Sequence, residues 1–356
     1  MTDASKFITF VLGAGASFEV GMPTGYDLKE KIASRLAFAV DDFGRLAGGD
    51  DRLREAVFRL SQGQGAEVTS GAYLSAANLI SAGMPQAPSI DNFIDSHRSN
   101  SQVAEVGKLA IASEILRSER ASKLFVSPTN IYNKLKFEGV AKTWLNAFFQ
   151  LIALNAQEQD LPGRLEKLRV VSFNYDRTLE HFLFHSFRNY YNCSPEKSAE
   201  ILSHLTVLHP YGQVGELPWQ NSGKGVPFGG DMHSSALIQV STSLRTFTQG
   251  TSESDSQIAE IRSAVFDAEI LTFLGFAYHE LNLELLFGPS TDVPIRHMKQ
   301  VFGTAMGISE SNKKAIAAEL ASLGRYDSSQ ITLRSELSAA QLLPEYSRAL
   351  RIPSAV

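Results

Sequence analysis

The sequence predicts an α/β fold with a doubly wound, mainly parallel β-sheet, and three observations support this prediction. Short apolar runs without polar alternation end in glycine or polar residues, and Phe7–Leu12 is the clearest example. Such runs are typical of parallel strands covered on both faces. Segments with helical periodicity separate the runs. A long block, 41–160, has helical patterns with few strand signals, so we interpret it as a helical insertion within the sheet domain.

The fold is organised around the stretch from Phe7 to Gly25. The first strand is followed by Gly13-Ala14-Gly15-Ala16-Ser17, and helix-compatible residues begin after Gly25. A strand, a glycine turn and a helix start can receive a phosphate, because glycines allow close approach and helix N-termini supply N–H groups. The third glycine of the dinucleotide fingerprint is replaced by Phe18. The motif alone therefore fits nucleotide binding and a purely structural turn equally well.

The remaining elements follow in chain order. Helical spacing of apolar residues marks four segments of the insertion, Asp50–Ser61, Thr69–Ala82, Gln102–Phe125 and Ile131–Leu154. Strand patterns return at Leu168–Phe173, Ile201–Leu208, Glu269–Leu274 and His297–Thr304. A further short strand is expected near Ile331, in a C-terminal region that is otherwise helical. The segment 213–250 is rich in Gly, Ser and Pro, which predicts an irregular or hairpin excursion.

Composition restricts the class of protein. The 356 residues are 44% hydrophobic and 20% charged, as in soluble globular proteins. The net charge of −5 and the absence of a basic block argue against direct sequence-specific nucleic-acid binding. A single cysteine, Cys193, excludes an intrachain disulfide and a Cys₄ or Cys₂His₂ zinc site. There is no signal-peptide pattern and no apolar stretch of about 18 residues, so we expect a cytoplasmic protein without membrane contact.

Polar or glycine residues follow four of the predicted strands. They are Gly13–Ser17, Asn174-Tyr175-Asp176, His209-Pro210-Tyr211-Gly212 and Gly275–His279. Ligands of open parallel sheets bind beyond the carboxyl ends of the strands. If these four strands are parallel, the four segments converge on one cleft. The sequence therefore predicts a nucleotide-handling site at this edge of the sheet.

Within these segments, Asn174, Asp176 and His209 are candidates for chemistry. An Asn side chain can hold a water and a hydroxyl, and an Asp can hold a carboxamide N–H. The alternative is that Asn174 and Asp176 form a turn that caps the next helix. His209 is the best-placed general base, although a lone histidine is more often structural. His181 and His185 have metal-pair spacing, but no third ligand is evident, and an ordinary helix face is favoured.

Three of these segments, in this order, resemble the sirtuin superfamily: the Gly13–Ser17 loop, Asn174–Asp176 and Leu208-His209. They are most similar to the sirtuin-like NAD hydrolases of bacterial antiphage defence, as in HerA-associated or Thoeris-type systems. Further similar segments are Ser89–Phe93, Gly107–Ala112, Gly275-Phe276, Asn282–Leu286 and Gly303–Ser309. The resemblance spans Phe7 to Ser309. It implies a Rossmann-type sheet and a single NAD-binding domain over 1–356.

The chain also departs from the sirtuin pattern. One cysteine cannot build the four-cysteine zinc ribbon of deacylating sirtuins. The glycine loop continues into Pro23-Thr24-Gly25-Tyr26 instead of Pro-Asp-Phe-Arg, and the catalytic turn is His209-Pro210 instead of His-Gly. We therefore expect an NAD pocket without an acyl-lysine peptide groove, so that water is the nucleophile. NAD-dependent protein deacylation is the least favoured alternative.

The resemblance implies NAD cleavage to nicotinamide and ADP-ribose, with NAD as substrate and no metal. Asn174 would position water or the ribose hydroxyls, His209 would take a proton, and Asp176 would hold the carboxamide. Gly275, Asn282 and Thr304 are expected to border the adenosine half. The other expected NAD contacts are Gly13, Ala14, Gly15, Ala16 and Ser17, which would cradle the diphosphate, and Thr24.

The resemblance also implies regulation, because uncontrolled NAD loss would kill or arrest the host. We expect control by assembly into a homo-oligomer or by a separately encoded partner, either a HerA-type ATPase or a short Argonaute. The alternative from another class is a non-catalytic subunit that binds NAD or ADP-ribose and gates a partner ATPase or nuclease. The joint presence of Asn174 and His209 favours the enzyme.

Overall fold

The computed structural model describes residues 7–40, 46–62, 70–127, 134–221, 223–246, 256–288 and 300–352. Its main sheet has six strands: β1 Phe7–Leu12, β4 Leu168–Ser172, β5 Thr206–Leu208, β6 Ala268–Leu274, β7 Gln300–Thr304 and β8 Ile331–Arg334. All neighbouring strands in this sheet are parallel. The α/β class and the predicted parallel sheet are thus confirmed.

The strands lie in the order β5-β4-β1-β6-β7-β8. Numbered along the chain within this sheet alone, the order is 3-2-1-4-5-6, which is that of Rossmann-like sheets. The direction of winding reverses between β1 and β6, which are hydrogen-bonded neighbours. The crevice outside the carboxyl ends of these two strands is where such sheets bind ligands.

The helices that surround the sheet have the following bounds. Up to β4 they are α1 Ala14–Ser17, α2 Gly25–Leu36, α3 Asp51–Gln62, α4 Ser70–Gly83, α5 Ile90–Ser96, α6 Ser101–Ala121, α7 Trp144–Ala153 and α8 Leu161–Leu165. After β4 they are α9 Thr178–Tyr190, α10 Pro195–Leu202, α11 Ser234–Ser241, α12 Ser256–Asp267, α13 Glu280–Phe287, α14 Glu310–Gly324 and α15 Ala339–Glu345. Single 3₁₀ turns occur at Phe18–Val20, Phe137–Val140, Glu158–Asp160 and Ser328–Gln330.

Strand β1 shows why the sheet is covered on both faces. Successive side chains of a strand point to opposite faces. Phe10 packs edge-to-face on Phe148 of α7, with ring centroids 4.9 Å apart. Thr9, on the other face, is fully buried and donates from Oγ1 to the carbonyl oxygen of Ala264 in α12, 2.6 Å away. Helices therefore pack on both sides of the central strand, and its apolar run has no polar alternation because neither face meets water.

The predicted helical insertion differs from the structure at its start and near its end. A two-stranded antiparallel hairpin, β2 Ala39–Val40 and β3 Leu46–Gly48, precedes α3. The sequence predicts helix in this region, because strands of two and three residues are too short to show periodicity. The helices α3, α4 and α6 agree with their predicted segments to within four residues, whereas in the predicted segment Ile131–Leu154 the α-helix begins only at Trp144, after a 3₁₀ turn at Phe137–Val140. The predictions for 41–45, Thr69, 131–133 and 297–299 lie outside the described residues.

Two further predictions are corrected in their bounds. The run Ile201–Leu208 contains only a three-residue strand, since Ile201 and Leu202 belong to α10. That helix begins with Ser194 as N-cap and Pro195 in the first turn. The described part of 213–250 is irregular and contains the helix α11, and no strand lies in it. Among the described residues, no helix is long and apolar enough to cross a membrane.

Candidate functional site

Residues of all four strand-end segments line one cavity of about 310 Å³ at the carboxyl edge of the sheet. The predicted site residues that line it are Gly13, Ala14, Gly15, Thr24, Asn174, Asp176, Gly275 and Asn282. Those that do not line it are Ala16, Ser17, His209 and Thr304. The cavity lies at the reversal point between β1 and β6, so the predicted convergence of these segments is confirmed.

The glycine loop is packed against the turn that follows β6. A Cβ atom added to Gly13 would lie 2.5 Å from the carbonyl oxygen of Gly275. The amides of Gly13 and Gly15 donate to the carbonyl oxygens of Leu274 and Gly275, each at 3.0 Å. These contacts explain the glycines by close backbone approach. Gly13 and Gly15 also line the cavity, so the structural and the ligand-binding interpretations of the motif are compatible.

The N-terminus of α2 opens on the same cavity. Thr24 caps it, since its Oγ1 accepts from the Asp27 amide at 3.2 Å while Asp27 Oδ2 accepts from the Thr24 amide at 3.0 Å. The amides of Gly25 and Tyr26, which lead the helix, have no acceptor among the described residues. A Cβ added to Gly25 would meet nothing within 4 Å. This end of the cavity can therefore take a group that accepts hydrogen bonds from backbone amides.

Asn174, Asp176 and Ser17 form one buried hydrogen-bond network. Asn174 Nδ2 donates to Ser17 Oγ at 3.0 Å and to the Gly13 carbonyl oxygen at 3.2 Å. Asp176 Oδ1 accepts from Ser17 Oγ at 3.2 Å and from the amide and hydroxyl of Thr178 at 3.1 and 2.6 Å. Asp176 thus bonds to Thr178, the first residue of α9, whose N-cap is Arg177. The Asn174 side chain bonds to the glycine loop and not to α9, so the predicted capping turn is present only in the bonds of Asp176.

The side chains of Asp176 and Asn174 differ in their hydrogen-bond partners. Burial raises the pKa of Asp176 above its ordinary value, although the bonds from Thr178 and Ser17 act in the opposite direction. Asn174 Oδ1 is buried and has no hydrogen-bond partner in the described part of the protein. A buried acceptor without a partner is costly. Asn174 Oδ1 is therefore a buried acceptor without a partner, in a residue that lines the cavity.

His209 lies elsewhere. His209 is among the residues that line a second cavity, with Gln213, Arg245 and Gln257, and it does not line the first one. Nδ1 donates to the Asn174 carbonyl oxygen at 3.1 Å, and Nε2 lies 2.9 Å from Glu180 Oε1. Burial lowers the pKa of His209, but the Glu180 carboxylate and the Asn174 carbonyl outweigh burial and leave this pKa raised. Both ring nitrogens are thus occupied, which favours a cationic ring that supports the Asn174 backbone.

Tyr211 is the residue of the same segment that reaches the first cavity. Its hydroxyl donates to Asn282 Oδ1 at 2.5 Å, and its ring packs edge-to-face on Phe173. Gly212 follows in a left-handed conformation, with φ of +72°. The turn after β5 therefore brings Tyr211, two residues beyond the predicted base, to the first cavity.

Thr304 and Ala16 support the cavity from outside it. Thr304 Oγ1 accepts from the Gly275 amide at 2.8 Å, and its carbonyl oxygen accepts from the Tyr278 hydroxyl at 3.0 Å. Ala16 is fully buried beneath the loop, and its amide donates to the Gly13 carbonyl oxygen at 3.0 Å. Both residues hold the two backbone segments in place.

Several polar residues of the cavity were not singled out from the sequence for chemistry. They are Asp91, Asn92, Asp95, Tyr175, Tyr211 and His279. Tyr175 donates a hydrogen bond to Asp91 Oδ1. Asp91 and Asp95 lie one helical turn apart on α5, a spacing that places them on one face. That spacing was readable in the sequence, but nothing in the sequence placed α5 beside Asn174.

The histidine pair His181 and His185 is an internal stacking cluster. His181 lies on Phe228 with ring centroids 4.0 Å apart, and its Nε2 contacts the Leu124 carbonyl oxygen at 3.1 Å. Burial lowers the pKa of both rings, that of His185 to about 4. Within the described ranges, no group of three or more His, Cys, Asp or Glu could hold a metal ion.

The chain was compared with known protein families and with curated protein sequences. No protein-family model matches the chain, and no curated protein sequence matches it.

Proposed function

We propose that the chain is an NAD hydrolase that releases nicotinamide and ADP-ribose, and that it acts as the effector of a bacterial antiphage abortive-infection system. The observation that carries the proposal is the meeting of the glycine loop, Asn174 and Asp176 in one cavity at the reversal point of a parallel sheet. Rossmann-like sheets bind dinucleotides at this point. The sirtuin-like order of the three motifs supports the same substrate.

The charges of the cavity support a positively charged group in it. The ionisable residues that line it include the carboxyl groups of Asp91, Asp95 and Asp176, and no lysine or arginine belongs to this lining. The nicotinamide ring of NAD is cationic, and cleavage of its bond to ribose develops positive charge on the sugar. Fixed negative charges and dipoles near that carbon lower the barrier.

A pose follows from these contacts. The diphosphate would lie at the leading amides of α2, Gly25 and Tyr26, beside the glycine loop. The nicotinamide ribose would lie at Asn174, whose Oδ1 accepts a hydrogen bond from the attacking water. Asp176 would take the carboxamide N–H. Control by self-assembly, or by a HerA-type ATPase or short Argonaute partner, belongs to the same proposal.

One observation favours the second candidate, a non-catalytic NAD- or ADP-ribose-binding subunit. His209, the predicted base, is outside the cavity and has both ring nitrogens occupied. A site without a base would bind the nucleotide and leave it intact.

Chromatography of products from the purified chain incubated with NAD tests the two candidates. Equimolar nicotinamide and ADP-ribose from the wild type, but not from Asn174→Ala, supports the hydrolase. Binding of NAD by calorimetry without any turnover, in the chain alone and after addition of candidate partners, supports the binding subunit.

A further inference from the structure

A carboxylate that the sequence motifs leave without a role lines the first cavity. Asp91 is in the first turn of α5, and the N-cap of this helix is Ser89, whose Oγ accepts from the Asn92 amide at 3.1 Å. Asp91 is half-buried and lines the cavity together with Asn174. Its Oδ1 accepts a hydrogen bond from Tyr175, the residue between the two members of the Asn-Tyr-Asp segment.

Two other candidate groups for proton transfer, Asp176 and His209, already make several hydrogen bonds. Asp176 Oδ1 accepts three hydrogen bonds, and both nitrogens of His209 are occupied. An amide such as Asn174 cannot take a proton. Asp91, in contrast, accepts one side-chain hydrogen bond and meets the cavity.

We propose that Asp91 is the catalytic base of this site, a step that rests on the proposed NAD hydrolysis. The attacking water donates one hydrogen bond to Asn174 Oδ1 and the other to the Asp91 carboxylate. As the ribose C1′–N bond breaks, its electron pair stays on the nicotinamide nitrogen. The water oxygen bonds to C1′, and its proton passes to Asp91. Asp91 later releases this proton to solvent, so that ADP-ribose, nicotinamide and one proton leave.

The surroundings of Asp91 determine the pH at which it can act. Burial raises the pKa of Asp91, while the Tyr175 hydrogen bond and the nearby His279 lower it. Asp95, on the same helix, and Asp176 and Tyr211, from neighbouring segments, share the cavity with it. Because the net shift is upward, the carboxylate form is lost at a higher pH than for an ordinary Asp. Activity that needs this form falls as the pH drops through that raised pKa.

Tyr175 tunes the same group. Its buried hydroxyl donates to the charged form of Asp91, so Tyr175→Phe removes an interaction that lowers the Asp91 pKa. The acidic limb of the pH profile should then move to higher pH, while activity on the alkaline side of the limb is kept. A merely structural loss at Tyr175 would lower activity at every pH and leave the limb in place.

The test measures kcat, KM and NAD affinity for the wild type, Asp91→Asn and Tyr175→Phe across pH. Asp51→Asn, an exposed change at the start of α3, is the matched control and should behave as wild type. Asp91→Asn should lower kcat by at least about 100-fold, the usual contribution of a general base. Its calorimetric Kd for NAD should rise far less than kcat falls, since a neutral isostere preserves the shape of the site and the carboxyl groups of Asp95 and Asp176 remain in the cavity.

The outcomes separate the two proposals. An active wild type with an equally active Asp91→Asn overturns the role of Asp91 and leaves the hydrolase standing. An acidic limb that Tyr175→Phe does not move also overturns it. A wild type that binds NAD without any turnover overturns the hydrolase and the role of Asp91 together.

Discussion

The side chain of Asn174 is tied to Ser17, with Nδ2 and Oγ 3.0 Å apart across 157 positions of sequence. This bond joins the segment after β4 to the glycine loop after β1. Asn174 Nδ2 also donates to the Gly13 carbonyl oxygen, so one amide group bonds to both the backbone and a side chain of the glycine loop. The Oδ1 atom of the same amide is buried and has no partner among the described residues. The structural role of Asn174 thus depends on its Nδ2 atom, and the proposed chemical role depends on Oδ1 of the same amide.

We predict that Asn174→Ala lowers NAD turnover by at least about 100-fold, because it removes the acceptor that positions the attacking water. The same change breaks two buried hydrogen bonds and should cost about 1–3 kcal/mol of unfolding free energy. Turnover is measured by nicotinamide release and stability by urea denaturation at the same pH.

Ser17→Ala is the control for this prediction, since it breaks the bond to Asn174 but leaves Oδ1 in place. It should cost comparable stability and retain most of the turnover. An Asn174→Ala protein with wild-type turnover would contradict the role assigned to Asn174. Equal losses of turnover in both variants would show that the network, not the Oδ1 atom, is what the reaction needs.

The His209–Glu180 pair predicts a pH-dependent stability. Because the folded-state pKa of His209 is raised, its contribution is fully present below the ordinary value of about 6.5 and is lost as pH rises through the raised value. Glu180→Gln removes the charge but keeps the shape. It should destabilise the protein by about 3 kcal/mol at about pH 6, as expected for breaking a buried ion pair. The difference from wild type should shrink toward about pH 9.

Denaturation of wild type and Glu180→Gln at a series of pH values measures this difference directly. A difference that stays constant between about pH 6 and 9 would contradict the linkage. The pH dependence should also be absent when Glu180→Gln is made in a His209→Gln background, since no titrating ring remains.

Much of the fold follows from local patterns in the sequence. Phe7–Leu12 was placed correctly, because six consecutive apolar positions next to a glycine turn suit only a buried strand. The short strand near Ile331 was also found. The hairpin of β2 and β3 was missed, because two or three residues show no period. Strand β5 is shorter than predicted, because the apolar residues Ile201 and Leu202 are the last residues of α10. Ser194 is the N-cap of that helix and Pro195 is its first residue.

The site was predicted at the level of segments and not of side chains. Parallel strands bring their carboxyl ends together, so the convergence of the glycine loop with Asn174 and Gly275 followed from topology. Whether His209 or Tyr211 enters the cavity depends on the turn geometry at Gly212, which no motif specifies. The contact of Asp91 with Tyr175 joins residues 84 positions apart, on an insertion whose packing the sequence does not state.

Gly275 is predicted to be the least replaceable glycine of the site. It adopts φ of +58°, and a Cβ there would lie 1.9 Å from the Ala16 amide nitrogen. The obstacle is backbone, which cannot move aside without breaking the β1–β6 contact. Gly275→Ala should therefore cost about 3 kcal/mol or more, from left-handed strain and overpacking together. Thermal and urea unfolding measure the loss.

Gly25→Ala is the matched change for this prediction. The space around Gly25 is open, so the variant should fold with the stability of wild type to within about 0.5 kcal/mol. Gly25 lines the cavity at the leading amides of α2. The Gly25→Ala variant should therefore bind NAD more weakly than wild type, although its stability is kept. A Gly275→Ala protein as stable as Gly25→Ala would contradict the backbone contact between the loops after β1 and β6.

Arg177, the residue after Asp176, forms an ion pair with Glu119, and both side chains are fully buried. Glu119 also accepts the Gly229 amide at 2.9 Å, while Arg177 donates to the Val226 carbonyl oxygen at 2.6 Å. The pair therefore fastens the excursion after β5 to α6, next to Asp176. Glu119→Gln leaves a buried guanidinium without its counter-charge and should cost about 3–5 kcal/mol.

Limited proteolysis distinguishes a local from a global effect of Glu119→Gln. If the pair fastens the excursion, cleavage within 213–230 should accelerate more than cleavage elsewhere, and urea unfolding should occur at lower concentration. The double replacement of Arg177 and Glu119 by Met and Gln should recover part of the stability, because no unpaired buried charge remains. Uniform acceleration of cleavage along the chain, without recovery in the double variant, would contradict this anchoring role.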